Sequence, residues 1–186
     1  MAKKQMKNSL FCFGLGYTAQ ALSERLAAAG WHIAGTTRDV KASQQLAERG
    51  WEIFPFTEDR PLSDFASALS QTTHLLSSVP PGPAGDPVVA AHRQDIAKLE
   101  GLQWVGYLST TGVYGDRGGE EVDETAERAP TSERGRRRVL AEDAWLDLWE
   151  NCGLPVHIFR LAGIYGPGRN ALETVRQGRG RRIHKP

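Results

Sequence analysis

Ser9-Leu10-Phe11-Cys12-Phe13-Gly14-Leu15-Gly16-Tyr17-Thr18-Ala19 is a short, mostly apolar run that stops at a glycine, meets a second glycine two residues on and opens into a helical pattern. The first five residues read as a buried strand. From residue 17 to 29 the apolar Ala21, Leu22, Leu26 and Ala29 recur at helical spacing, and Gly30 ends the run. A G-x-G-x-x-A loop between a strand and an amphipathic helix is the context in which glycines cradle a dinucleotide. Gly14 permits the tight turn, Gly16 lets the backbone approach a pyrophosphate, and Ala19 allows close helix–strand packing. The helix N-terminus adds free N–H groups and partial positive charge. A bare strand-to-helix turn would use the same glycines, but the flanking elements favour the dinucleotide. Gly14, Leu15, Gly16, Tyr17 and Thr18 are therefore the first candidate cofactor contacts.

The second strand, residues 31–36, runs into Thr36-Thr37-Arg38. An NAD site commonly carries a carboxylate there for the ribose hydroxyls. Here none comes before Asp39, whereas Arg38 can pair with a 2′-phosphate and Thr37 can donate to it. NADP is expected over NAD, the competing reading being that Arg38 is a solvated loop residue. Further strands are read at residues 51–54, 74–79, 103–108 and 155–161, with helices at 42–49, 62–69, 87–100, 131–150 and 170–177, Thr131 capping the longest. Strands separated by helices of this length need parallel crossovers, which gives an α/β sheet covered on both faces. Ser77, Ser78 and Val79 end the fourth strand, where they either contact a cofactor ribose or simply form a polar strand end.

Several blocks in one order resemble the extended short-chain dehydrogenase/reductase family, the NAD(P)-dependent epimerases and dehydratases. Tyr107-Leu108-Ser109-Thr110-Thr111-Gly112-Val113-Tyr114-Gly115 is similar to the family's fifth strand, Ser/Thr-rich end and V-Y-G. Residues 154–169, LPVHIFRLAGIYGPGR, are similar to its sixth strand and Y-G-P-G loop. The glycine loop resembles an atypical branch, since G-x-x-G-x-x-G is usual. The resemblance implies a doubly wound Rossmann sheet in the order 3-2-1-4-5-6, with one NAD(P)-binding domain over residues 1–186. It also implies truncation before a smaller C-terminal substrate domain.

The family carries a Y-x-x-x-K pair on the helix after the Ser/Thr strand. By the register of Gly135 and Glu142, Arg134 stands where the Tyr is expected and Arg138 where the Lys is expected, and no Y-x-x-x-K occurs elsewhere. Arg138 can hold the nicotinamide ribose. Arg134 cannot exchange a proton near neutral pH, because its pKa lies above about 12. Thr110 aligns with the residue that orients the substrate oxygen, and Tyr114 is a candidate proton donor or a packing residue. The implied activity is oxidoreductase or epimerase chemistry on a nucleotide-sugar-like anionic small molecule. The alternative is a catalytically weak dinucleotide-binding module that senses redox state or regulates a partner.

Composition bounds the rest. The 186 residues carry 23 Lys+Arg against 22 Asp+Glu, net +1, and are 40% hydrophobic, which excludes disorder and coiled coil. No apolar run reaches the roughly 20 residues of a membrane helix, and no secretory signal is seen. Two cysteines without metal spacing, Cys12 and Cys152, are expected to be reduced and buried in a cytoplasmic protein. After Pro130 come eleven Lys+Arg and six Asp+Glu. The cluster at Arg134, Arg136, Arg137 and Arg138 reads as an anion pocket or, for Arg136 and Arg137, a solvated face. Aromatics are not interleaved with it, so no nucleic acid is expected. His74 and His157 are expected in the core, and Trp145 and Leu148 as packing in this chain or in a homodimer.

Overall fold

The computed structural model describes residues 8–180. In chain order it contains β1 (Ser9–Phe13), α1 (Tyr17–Ala28), β2 (His32–Thr37), α2 (Val40–Ala47), β3 (Glu52–Pro55), α3 (Phe65–Leu69), β4 (His74–Ser77) and α4 (Pro87–Ala97). Then follow β5 (Trp104–Thr110), a 3₁₀ turn (Thr111–Val113), α5 (Glu133–Cys152), β6 (Val156–Leu161) and α6 (Ala171–Arg176). The strands form one sheet in the order β3-β2-β1-β4-β5-β6, with every neighbouring pair parallel. The doubly wound order that the family resemblance implies is therefore the order found. Strand order reverses between β1 and β4, and the crevice outside their carboxyl ends is where such sheets bind ligands.

β1 is buried at all five positions, as a central parallel strand must be. Its side chains alternate. Phe11 and Phe13 join a core with Phe65, Val88, Ile96 and Trp145, supplied by α3, α4 and α5. Leu10 and Cys12 join a second core with Ala19, Ile33 and Leu46, supplied by α1, α2 and β2. Burial pushes the Cys12 thiol up to about 12, so it is inert at neutral pH. Cys152, in the last turn of α5, is free and packs against the first core but is half-buried rather than buried as expected.

Trp145 and Leu148 are fully buried in this chain's own core. The Trp145 Nε1–H donates to the Asp86 carboxylate at 3.1 Å, and Asp86 also caps α4 by accepting from the N–H groups of Val88 and Val89. The cap of α5 is Ser132 rather than Thr131, because the Ser132 oxygen meets the Gly135 N–H at 3.0 Å. Two histidines depart from expectation. His157 is exposed and stacks on Trp104, ring centroids 6.1 Å apart. His74 is half-buried beside Trp31. Both point to the sheet face of α1 and α2, and β6 is the edge strand on which Phe159 is also 40% exposed. Five of the eleven basic residues after Pro130 lie in the last eleven residues, Arg176, Arg179, Arg181, Arg182 and Lys185, of which the last three lie outside the described residues.

Gly115 turns the chain after the 3₁₀ segment with φ +75°, and a Cβ there would fall 2.0 Å from the Ala129 carbonyl oxygen. Gly115→Ala forces both a left-handed backbone and a clash. It should lower the unfolding free energy by about 1–3 kcal/mol, read by denaturant titration. A loss below about 0.5 kcal/mol would show that the loop from 116 to 131 yields easily.

Candidate dinucleotide site

The glycine loop is tied to the ends of two strands. The Gly14 N–H donates to Thr36 Oγ1 at 2.9 Å and the Leu15 N–H to the Thr36 carbonyl at 2.8 Å. Ser78 Oγ donates to the Gly14 carbonyl at 2.5 Å. Gly14 itself holds φ +82°, and a Cβ there would sit 3.1 Å from Ser78 Oγ and 3.2 Å from Val79 Cγ2. Only glycine meets that turn without strain. Gly16 then caps α1 with no side-chain hydrogen bond. Each of the other α-helices is capped by a side chain: Asp39, Asp64, Asp86, Ser132 and Asn170. The first N–H groups of α1 thus keep the unpaired donors and partial positive charge that suit a phosphate.

Two cavities meet at this point, both lined by Gly16 and Ser78. The first, about 450 Å³, lies toward β2 and β3 and is lined by Gly14, Leu15, Thr37, Arg38 and Val79 among others. The Leu15 side chain is buried in the second core, so its contribution to the wall is small. Arg38 is exposed and forms no ion pair among the described residues, although Glu58 and Asp59 line the same cavity. The one carboxylate next to it in sequence is occupied elsewhere. Asp39 caps α2, accepting from the Lys41 N–H at 2.8 Å and the Ala42 N–H at 3.3 Å.

The second cavity, about 200 Å³, lies toward β5 and β6 and brings together Tyr17, Thr18, Thr110, Arg134, Arg138 and Arg169. Arg138 Nη1 donates to the Leu108 carbonyl at 2.6 Å and to Tyr107 Oη at 3.0 Å. Burial pushes the Tyr107 phenol above its ordinary value. Thr110 Oγ1 accepts from the Gly112 N–H, which fixes the strand end. Tyr17 Oη donates to the Pro167 carbonyl at 3.1 Å, and the Arg169 guanidinium lies over the Tyr17 ring at 5.5 Å. The loop after β6 is thereby strapped onto the start of α1.

Two candidate residues are not brought into this site. Ser77 is fully buried in β4, its hydroxyl without a hydrogen-bond partner among the described residues, and lines neither cavity. It points into the sheet because strand side chains alternate, and Ser78 is the residue that reaches the groove. Tyr114 is also turned away. Its Oη accepts from Arg160 Nη1 at 2.8 Å, and it lines a separate cavity with Asp123, Glu124 and Arg160. It packs and does not face the groove.

Behind Tyr114 lies a buried ion cluster that the sequence reading passed over. Glu142, with no exposure, accepts from Ser109 Oγ at 2.5 Å, from Arg160 Nη2 at 2.9 Å and from Arg128 Nη1 at 3.3 Å. Hydrogen bonding to Glu142 holds Arg160 above its ordinary pKa, leaving it charged throughout. The available signal was Glu142 in register with Gly135 on the long helix, together with the lone arginine of the sixth strand. Among the described residues no group of three acidic, His or Cys side chains could hold a metal, and no helix is long and apolar enough to cross a membrane.

A glycine-turned loop at the switch point of a parallel 3-2-1-4-5-6 sheet defines a Rossmann dinucleotide-binding domain. Residues 88–184 match the NAD dependent epimerase/dehydratase family, and the chain belongs to that family. It is 33% identical over 165 residues to protein YeeZ of Escherichia coli K12, covering 84% of this chain and 59% of that protein. The chain thus spans about six-tenths of the length of the curated relatives it matches. A functionally unknown conserved protein from Silicibacter pomeroyi DSS superposes with a TM-score of 0.77 at 46% identity, over 89% of this chain and 57% of that one. UDP-glucuronic acid 4-epimerase from Bacillus cereus, in complex with UDP-glucuronic acid and NAD, superposes with a TM-score of 0.71 at 18% identity, over 89% and 60%. At that identity the likeness is one of fold.

Proposed function

We propose that this chain is the cofactor-binding part of an NADP-preferring oxidoreductase or epimerase acting on a nucleotide-sugar-like anionic small molecule. One observation carries the cofactor preference: Arg38 opens onto the β2-side cavity with no ion pair among the described residues while Asp39, the carboxylate beside it, is held in the α2 cap. A guanidinium there favours a 2′-phosphate, and a carboxylate in that place would repel it. The test is Arg38→Ala. Loss of a charge-assisted contact should weaken NADP⁺ about tenfold to a hundredfold and leave NAD⁺ within about twofold. Equal weakening of both cofactors in parallel titrations would remove the preference.

The dinucleotide fits the residues present: uncapped N–H groups of α1 for the pyrophosphate, the β2-side cavity for the adenosine half, the β5-side cavity for the nicotinamide half. When bound it supplies a hydride donor or acceptor. Arg138, anchored on the end of β5, is placed to hold the ribose, and Thr110 to orient a substrate oxygen. Arg134, in the register of the family's tyrosine, supplies positive charge but no proton.

A second reading has its own support. The β5-side cavity has no carboxylate, histidine or cysteine in its wall, and its one phenol, Tyr17, already donates to Pro167. A weakly catalytic module that reports redox state would look the same. Incubation with cofactor and a panel of nucleotide sugars separates the two: net cofactor conversion at the nicotinamide band, or an epimerised sugar formed with no net cofactor change, supports the enzyme, and binding without either supports the module. Self-association would use α4 and α5, which enclose a surface cavity of about 710 Å³ beside the exposed Leu140. Free cysteines fit a cytoplasmic chain.

A further inference from the structure

Of the four arginines that open α5, two are neutralised and two are not. Arg136 and Arg137 both pair with Glu133 at 3.1 Å on the outer face of the helix. Arg134 and Arg138 turn the other way, into the β5-side cavity, and Arg169 joins them there from the loop after β6. None of these three meets a carboxylate within ion-pair distance among the described residues, and no acidic residue lines the cavity. Three cations sharing about 200 Å³ without a counter-charge repel one another. Two of them are nonetheless held in place: Arg138 by the Leu108 carbonyl and the Tyr107 hydroxyl, Arg169 by the Tyr17 ring. Thr18 and Thr110 hydroxyls stand in the same wall.

Resting on the reading of the groove as a dinucleotide site, we propose that Arg134, Arg138 and Arg169 form an oxyanion subsite at the nicotinamide end, which takes a carboxylate or phosphate carried close to the substrate's reacting carbon. The pyrophosphate lies at the α1 N-terminus, and the cavity past Gly16 toward β5 is the nicotinamide half. An anion bound by these arginines therefore sits next to the transferred hydride, not at the far end of a long nucleotide. Guanidinium forks bind planar and tetrahedral oxyanions in two-point fashion. They cannot act as acid or base here, so their part is orientation and charge. Arg138 serves the ribose on its other edge.

The experiment titrates inorganic phosphate and, separately, oxalate into the protein saturated with NADP⁺. Wild type should bind at least one of them. The double variant Arg134→Gln, Arg169→Gln should bind it at least tenfold more weakly, whereas Arg136→Gln, Arg137→Gln, whose arginines lie on the outer face of α5 paired with Glu133, should bind it as wild type does. Tighter phosphate indicates a phosphate ester and tighter oxalate a carboxylic acid, and either supports the subsite. Three results overturn it: no binding of either anion by wild type, undiminished binding by the Arg134→Gln, Arg169→Gln variant, or an equal loss in the Arg136→Gln, Arg137→Gln variant. If NADP⁺ itself does not bind, the groove reading falls separately, and the same anion titration on the cofactor-free pair of proteins still decides for or against the arginines.

Discussion

Replacing Glu142 with glutamine lowers the unfolding free energy by about 3–5 kcal/mol. Glu142 has no solvent exposure and Arg160 keeps only 17% of its side-chain exposure. Breaking such a pair leaves the surviving charge desolvated and unpaired. Glutamine keeps the volume and can still accept from Ser109, so the loss reports charge and not packing. Arg128, a quarter exposed, loses one of its two carboxylates but keeps Asp143 at 2.7 Å, which holds the cost toward the lower end. For a chain of this size that loss corresponds to a melting temperature roughly 6–20 °C lower. The effect reaches the groove as well. Ser109 lines the β5-side cavity, and Arg160 also holds Tyr114 and the Glu124 carbonyl, so the loop between 114 and 131 loosens with the pair. A loss under about 1 kcal/mol would mean that water reaches the cluster and replaces the carboxylate.

Gly16→Val should separate cofactor binding from folding. A Cβ built at Gly16 meets nothing within 4 Å, and the residue has φ −82° and ψ −170°, a backbone that valine adopts freely. The fold should therefore hold, with a stability change under about 1 kcal/mol, since the side chain touches no packed atom and only the N-cap preference is altered. But Gly16 stands where the two cavities join, ahead of the unpaired N–H groups of α1. The valine methyls fill the space through which a pyrophosphate reaches those donors. Affinity for NADP⁺ should fall at least about a hundredfold, a change of roughly 2.7 kcal/mol. Retained affinity within about threefold would show that phosphates do not pass over Gly16, and the assignment of the groove would be wrong.

Much of this was legible in the sequence because the strong signals are local. An apolar strand, a glycine turn and an amphipathic helix lie within twenty residues, and each later strand is bounded by Gly or Pro. The element order follows from that alternation, and the sheet order from the family resemblance of the later blocks. Boundaries shifted where capping decided them: Asp64 starts α3 at Phe65, and Ser132, not Thr131, starts α5. Ser77 and Tyr114 were misplaced because proximity in sequence to a strand end does not say which way a side chain points. His157 looked buried by its apolar neighbours, but β6 is the sheet edge and its outer face is open. The Glu142 cluster joins residues 109, 128, 142 and 160, and the Tyr17 strap joins residues 150 positions apart. No local pattern announces contacts that depend on how distant segments pack.

The most direct test is calorimetric titration of the chain with NADP⁺ and NAD⁺ side by side. The groove, with Arg38 open to it and Asp39 held in a helix cap, predicts saturable NADP⁺ binding with NAD⁺ at least about tenfold weaker, a gap of about 1.4 kcal/mol. Binding of neither dinucleotide, or NAD⁺ bound as tightly as NADP⁺, would contradict the account.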